Sequence, residues 1–243
     1  MRIKNHIPNF ITLLNLLSGC LSILFFAQEQ IVLASWMIFL AALFDFMDGF
    51  AARALKAYSK IGGDLDSLAD VVSFGVAPGM IIYHLIMISH GRQPLFFFEI
   101  DILPYSAMLI PLFAALRLAK FNVDERQTSS FIGLPTPAAG LLIASLPLIR
   151  ESLYDGQSLF YMVLTNTYFY LGIIFSLSFL MVSELPLFGL KFRSYGIKGN
   201  EVKYIFILTS IVLLLFLQIV AIPFIILLYL LFSLFVFLIE AQS

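Results

Sequence analysis

Long apolar runs limit this chain more than any other feature. A helix that crosses a bilayer needs about 20 mostly apolar residues. Eight candidates follow one another, near residues 7–27, 31–55, 63–89, 103–120, 135–149, 159–183, 204–220 and 222–239. The fifth is short, and Pro135 and Pro137 suit its first turn, where a missing N–H is harmless. The last two meet around Ala221 and Pro223, which predicts a tight helical hairpin. Strands of a membrane barrel would be about ten residues long and alternate in polarity; these runs are longer and unbroken. With 61% of residues hydrophobic and 12% charged, a water-soluble globule and a disordered chain are both excluded. The expected fold is all-α, a polytopic membrane bundle of about eight transmembrane helices, forming a single domain over residues 1–243.

Charge sets the orientation. Arg2 and Lys4 precede the first apolar run, as in a signal peptide. That run is long, and Phe25-Phe26-Ala27-Gln28-Glu29 lacks a small-residue cleavage site, so it is read as a retained helix. With a cytoplasmic N-terminus and eight spans, the inner side holds Arg2, Lys4, Arg53, Lys56, Lys60, Arg117, Lys120, Arg126, Lys191, Arg193, Lys198 and Lys203. Only Arg92 and Arg150 fall outside, so twelve of the 14 basic residues share one side. Both termini are then expected in the cytoplasm, with the protein in the cytoplasmic membrane. A net charge of −1 offers no basic surface for nucleic acid. Cys20 is the single cysteine, so no intrachain disulfide forms.

Acids are costly in such a chain, yet five of its 15 lie between Asp45 and Asp70. Asp45 and Asp48 are three apart and share a helix face, with Gly49 and Ala52 as small neighbours. Gly62, Asp66 and Asp70 are four apart and make a second one-sided stripe; Asp64 falls off it and is expected in solvent. The short connection at 56–61 folds the second stripe back toward the first, just inside the cytoplasmic interface. Isolated juxtamembrane acids are commonly solvated or paired with Arg and Lys. Two facing pairs with small residues between them instead suit divalent cations, Mg²⁺ or Mn²⁺, held by oxygen ligands. A two-ion arrangement could hold a diphosphate, with Arg53, Ser59 and Lys60 placed to meet phosphate oxygens.

The run Asp45-x-x-Asp48-Gly49-x-x-Ala52-Arg53, then eight residues, then Gly62-x-x-x-Asp66-x-x-x-Asp70 resembles the signature of the CDP-alcohol phosphotransferases. The resemblance implies metal binding by Asp45, Asp48, Asp66 and Asp70, with Asp70 also the general base. It implies contact of Gly49 and Arg53 with the CDP-lipid, with Ser59 in the matching loop; Lys60 and Gly62 are expected contacts beside them. Pro8-Asn9-x-x-Thr12, with Asn15 one turn on, is similar to the family's nucleotide-side segment; the same residues read equally as caps and small packing positions. Three longer runs, 65–78, 116–122 and 133–140, are similar to the serine-accepting branch of the family. Met181-Val182-Ser183 with Lys191 is a weaker fourth. Lys120 and Glu184 depart mildly from it, where relatives carry Arg and often a basic residue, and Glu184 puts a phosphate role there in doubt.

That likeness implies CDP-diacylglycerol and L-serine as substrates, phosphatidylserine and CMP as products, membrane lipid as surroundings and a homodimer as assembly. Arg117 and Asn122 are the expected serine contacts; their other reading is positive-inside anchoring of the fourth helix. Two alternatives stay open on sequence: a sister enzyme accepting glycerol 3-phosphate or an inositol phosphate, and an ion-coupled transporter. Against the transporter stands the lack of a second copy of the acidic pattern.

Overall fold

The structure is a computed structural model that describes residues 6–57, 60–124, 131–153, 159–189, 196 and 200–240. Arg2, Lys4, Arg126, Lys191, Arg193 and Lys198 lie outside the described residues. Helix α1 (His6–Ala27) turns through Gln28–Gln30 into α2 (Ile31–Leu55), and the two pack along their length. Their seam is small and polar. Pro8, Thr12, Asn15, Gly19 and Ser22 recur at alternating spacings of four and three, the period of a helix–helix seam, and all are buried. Phe10, Leu13, Leu17 and Leu24 face outward. This inverts the pattern of a water-soluble helix and suits a lipid surround.

A long rod follows, built from α3 (Lys60–Asp70), a π-helical turn at Val71–Val76 and α4 (Ala77–Met87). The sequence reading expected a plain helix here. Pro78 has no N–H to give to the Phe74 carbonyl, and the Ala77 N–H reaches back to Val72, so the ladder widens for one turn. The wide turn is the centre of the core, with Ser73, Phe74 and Gly75 buried. It packs against α1, α5 (Leu109–Val123) and α6 (Thr136–Ser152). A Cβ on Gly140 of α6 would sit 3.1 Å from the Phe74 Cα, so any larger residue would push the two elements apart by a few tenths of an ångström.

Helix α5 enters through a 3-10 turn at Pro104–Met108 and packs on α8 (Thr167–Val182). The expected single span over 159–183 is broken: α7 (Leu159–Leu164) stops two residues before α8. The break has a local cause. His90 bridges the backbone on either side of Asn166 (His90 N–H to the Thr165 carbonyl, 2.8 Å; Thr167 N–H to the His90 carbonyl, 3.1 Å), and the Asn166 side chain caps the Tyr168 N–H at 2.8 Å. Helices α9 (Glu201–Leu217) and α10 (Ala221–Glu240) form the expected hairpin. It turns at Gln218, whose φ is 50°, and Phe206 stacks on Tyr229 and Phe232 across it.

Among the described residues, five stretches are long and apolar enough to cross a membrane: His6–Ala27, Ile31–Leu55, Ile61–Met87, Pro104–Val123 and Glu201–Leu238. The fifth expected span is a helix of 17 residues, α6, slightly longer than the apolar run that announced it, and the sixth keeps a helix of 16 residues, α8; neither is among those five stretches. Two small antiparallel ladders are additions that the apolar pattern did not announce. They pair β1 (Phe96–Phe97) with β2 (Ile100–Asp101), and β3 (Phe131–Ile132) with β4 (Pro186–Leu187). At Gly133, beside β3, φ is 74° and a Cβ would lie 2.6 Å from the Met181 carbonyl oxygen, so glycine alone lets this segment lie on the end of α8.

Candidate active site

Helix α2 ends in a Schellman motif. The Lys56 N–H bonds to the Arg53 carbonyl at 3.3 Å, the Ala57 N–H to that of Ala52 at 2.9 Å, and Lys56 takes a left-handed φ of 51°. The chain reverses at once and α3 begins at Lys60. As the spacing predicts, the two acidic faces meet. Asp45, Asp48 and Asp66 each bring a carboxylate oxygen within 4.8 Å of the others. Asp48 is buried, while Asp45 and Asp66 are half-buried. Oδ2 of Asp48 and Oδ1 of Asp66 are buried without a hydrogen-bond partner. Buried, unpaired carboxylate oxygens converging on one point are a strongly repulsive arrangement unless a cation joins them. The all-oxygen donor set fits a hard divalent ion.

Asp70 lies one turn deeper on α3, 6% exposed and within electrostatic reach of Asp45, Asp66 and Asp48. Its Oδ1 accepts a hydrogen bond of 3.2 Å from Asn15 Nδ2. Asn15 is fully buried on the α1 seam, and its own carbonyl accepts from the Ser73 hydroxyl at 3.1 Å. Asn15 is thus held from behind by the wide turn and bears on the carboxylate in front. Thr12, one turn earlier, donates its hydroxyl to the Pro8 carbonyl at 3.1 Å and lines the same cavity as Asp48.

A cavity of about 170 Å³ opens beside the acids between α1, α2 and α3. Asn9 and Thr12 line it from α1, Gly49 and Ala52 from α2, and Gly62 from α3, with Asp48 and Asp66 at its wall. Arg53 folds back over Gly49: a Cβ there would lie 3.4 Å from its Nη1. The exposed guanidinium therefore stands at the cavity's edge. Asp64 is exposed, as its helical phase predicts. Ser59 lies outside the described residues, as does the side chain of Lys60.

The two expected serine contacts separate. Arg117 is 7% exposed, within electrostatic reach of Asp70 and Asp45, with Nε buried and unpartnered and its guanidinium carbon 5.4 Å from the Phe121 ring centre. Asn122 is exposed at the end of α5 and trades hydrogen bonds with Ser67, Nδ2 to Oγ at 2.9 Å and Oγ to Oδ1 at 3.3 Å. It ties α5 to α3 next to Asp66. The sequence reading did not single out Ser67, Ser73 or Tyr229. Tyr229 interacts electrostatically with Arg117 and donates its hydroxyl to the Phe188 carbonyl at 3.0 Å. Its signal was available: a phenol four residues before Ser233, the only polar pair inside an otherwise apolar α10 until Glu240.

Comparison with known proteins places these features in context. The sequence description of the CDP-alcohol phosphatidyltransferases matches residues 5–185. A CDP-diacylglycerol–serine O-phosphatidyltransferase of Helicobacter pylori (strain J99) is 34% identical over 180 residues, 73% of this chain and 70% of that protein. One from Bacillus subtilis is 38% identical over 146 residues, covering 58% and 75%. An archaetidylserine synthase of Methanothermobacter thermautotrophicus is 38% identical over 141 residues, covering 57% and 56%.

Proposed function

Because this chain belongs to the CDP-alcohol phosphatidyltransferase family, we propose that it moves the phosphatidyl group of CDP-diacylglycerol onto the hydroxyl of L-serine, giving phosphatidylserine and CMP. The observation that carries the phosphotransfer reading is the convergence of Asp45, Asp48 and Asp66 at the mouth of a small cavity, with Asp70 buried one turn below. The acceptor is supported by the relatives. Their names differ in the lipid, phosphatidyl in two and archaetidyl in one, and share serine.

The proposed reaction forms a bond from the serine oxygen to the lipid-side phosphorus and breaks the bond from that phosphorus to the oxygen leaving with CMP. Divalent ions, Mg²⁺ or Mn²⁺ and two in number, fit the carboxylates of Asp45, Asp48, Asp66 and Asp70; bound there they supply positive charge for the diphosphate and the departing CMP. The chain's own groups do the rest. Asp70 accepts the proton of the serine hydroxyl, a poor nucleophile without a positioned base. Arg53, over Gly49, meets a phosphate, while Asn9, Thr12 and Gly62 line the nucleotide's place, with Ser59 and Lys60 in the adjoining turn. Arg117, buried beside Asp70, pairs with the serine carboxylate. Asn122 braces the same end of α5 through Ser67.

In this reading residues 1–243 form one integral domain of the cytoplasmic membrane, with eight spans, cytoplasmic termini, a cytoplasm-facing site and a homodimeric assembly. Purified protein given CDP-diacylglycerol and a panel of acceptors tests the reaction. CMP release is expected with L-serine. Release with glycerol 3-phosphate or an inositol phosphate, and none with serine, overturns the acceptor assignment.

A further inference from the structure

The end of the bundle away from the aspartates carries an unusual connection. Between α4 and α5 the β1–β2 hairpin presents Leu95, Phe96, Phe97, Phe98 and Ile100 outward, each more than half exposed. Phe98 is 84% exposed and sits, with Glu99, in the left-handed region (φ 45° and 65°), where an Asn-Gly pair is the usual choice and a bulky side chain is strained. Among the described residues it stacks on Phe97, itself exposed. A phenylalanine kept at a strained turn, without a core to fill, serves something outside the chain.

The polar groups at the hairpin's base are satisfied, while Glu99, at the turn, is exposed. Asp101 accepts from the Arg92 guanidinium at 2.8 Å and from the Leu95 and Leu103 N–H groups at 3.1 and 3.2 Å. The Ile102 N–H bonds to the Leu95 carbonyl at 2.9 Å. The base is therefore neutral and internally paired, the condition for entering a low-dielectric layer. Its apolar surface also continues that of the spans it joins, through Met87 and Ile88 on one side and Tyr105 and Leu112 on the other, all exposed.

We propose that this hairpin lies in the bilayer interface opposite the active site, with Phe96, Phe97 and Phe98 inserted among the lipid tails, and that it fixes the depth of the rod it terminates. The lengths agree. The rod from Ile61 to Met87 has 27 residues, roughly 40 Å, about the thickness of a bilayer with its headgroups. Asp70 then lies roughly 25 Å from the hairpin end, at the far edge of a hydrocarbon layer about 30 Å thick. A hairpin held at one face thus sets the carboxylates at the other. The inference rests on the bundle being membrane-embedded and is independent of the reaction.

Full-length protein is reconstituted into phosphatidylcholine liposomes, and resistance to alkaline carbonate extraction verifies embedding by itself. The single tryptophan, Trp36, is replaced by Phe, and Phe97→Trp supplies the probe; Phe96→Trp in the same background repeats the measurement if the first variant misfolds. Acyl-brominated phosphatidylcholine should quench the new fluorophore at least twofold, and aqueous iodide should have little effect. In embedded protein, quenching by iodide but not by brominated lipid overturns the proposal. So does protection from both quenchers, which would mean that a second copy of the chain covers the hairpin.

Discussion

Asp70 and Asn15 make separable predictions. Asp70→Asn keeps the shape and removes the base, so serine-dependent CMP release should fall by about 10²–10⁴-fold, while the variant still fractionates with membranes. Full activity in it would remove the base assignment. Asn15 touches Asp70 at 3.2 Å and is held by Ser73. In Asn15→Ala, kcat should drop on the order of 10²-fold, because a small misplacement of a reacting group is costly, while the KM for CDP-diacylglycerol stays near that of the parent. A raised KM at constant kcat would instead return Asn15 to the nucleotide side, where the sequence placed it. Steady-state kinetics over both substrates separate these outcomes.

The elements meet at backbone-close contacts that tolerate little added volume. A Cβ on Gly19 would fall 2.8 Å from the Ser73 Cα, where α1 crosses the wide turn. Gly19→Ala should therefore cost about 1–3 kcal/mol, seen as a lower unfolding midpoint in detergent. Gly172→Ala in α8, where a Cβ meets nothing within 4 Å, is the control and should leave the midpoint unchanged or raise it. What was legible follows from range. Asp45 with Asp48, and Gly62 with Asp66 and Asp70, are read from spacing within one helix, and the turn between them is too short to send α3 elsewhere. The Asn15–Asp70 bond joins residues 55 apart, and no local period announces it. The wide turn at Val71–Val76 also escaped, because Pro78 acts on a carbonyl one turn back and the tolerance for a distorted ladder comes from neighbours packed around Phe74. The break near Asn166 depends on His90, a residue from another part of the chain.

At the scale of the molecule, the three clustered carboxylates predict that stability depends on divalent ions. Anything that binds the folded state alone stabilises it, by about 2.7 kcal/mol at a hundredfold excess over Kd. Mn²⁺ added to EDTA-stripped protein should raise the unfolding midpoint, and the double variant Asp45→Asn/Asp66→Asn should show no such rise. An equal rise in that variant would remove the ion site. The charge asymmetry makes a second test. In a Cys20→Ser background, Gln93→Cys should react with an impermeant maleimide in intact cells, and Val123→Cys only after the membrane is opened; the reverse result would invert the proposed topology.

The wide turn also has a consequence for how much length variation this rod can bear. A π turn holds one residue more than the α-helix it interrupts, and one residue is worth about 100° of rotation. Excising a residue between Val71 and Val76 would straighten the rod into an ordinary helix and swing its halves against each other by that angle. If Ile81 and Ile82 kept their places in the interior, Asp66 and Asp70 would face lipid; if the aspartates kept theirs, the interior would lose its isoleucines. The surplus residue works as a fixed phase offset, letting a single continuous strut obey two sets of neighbours that no uniform spiral could satisfy together.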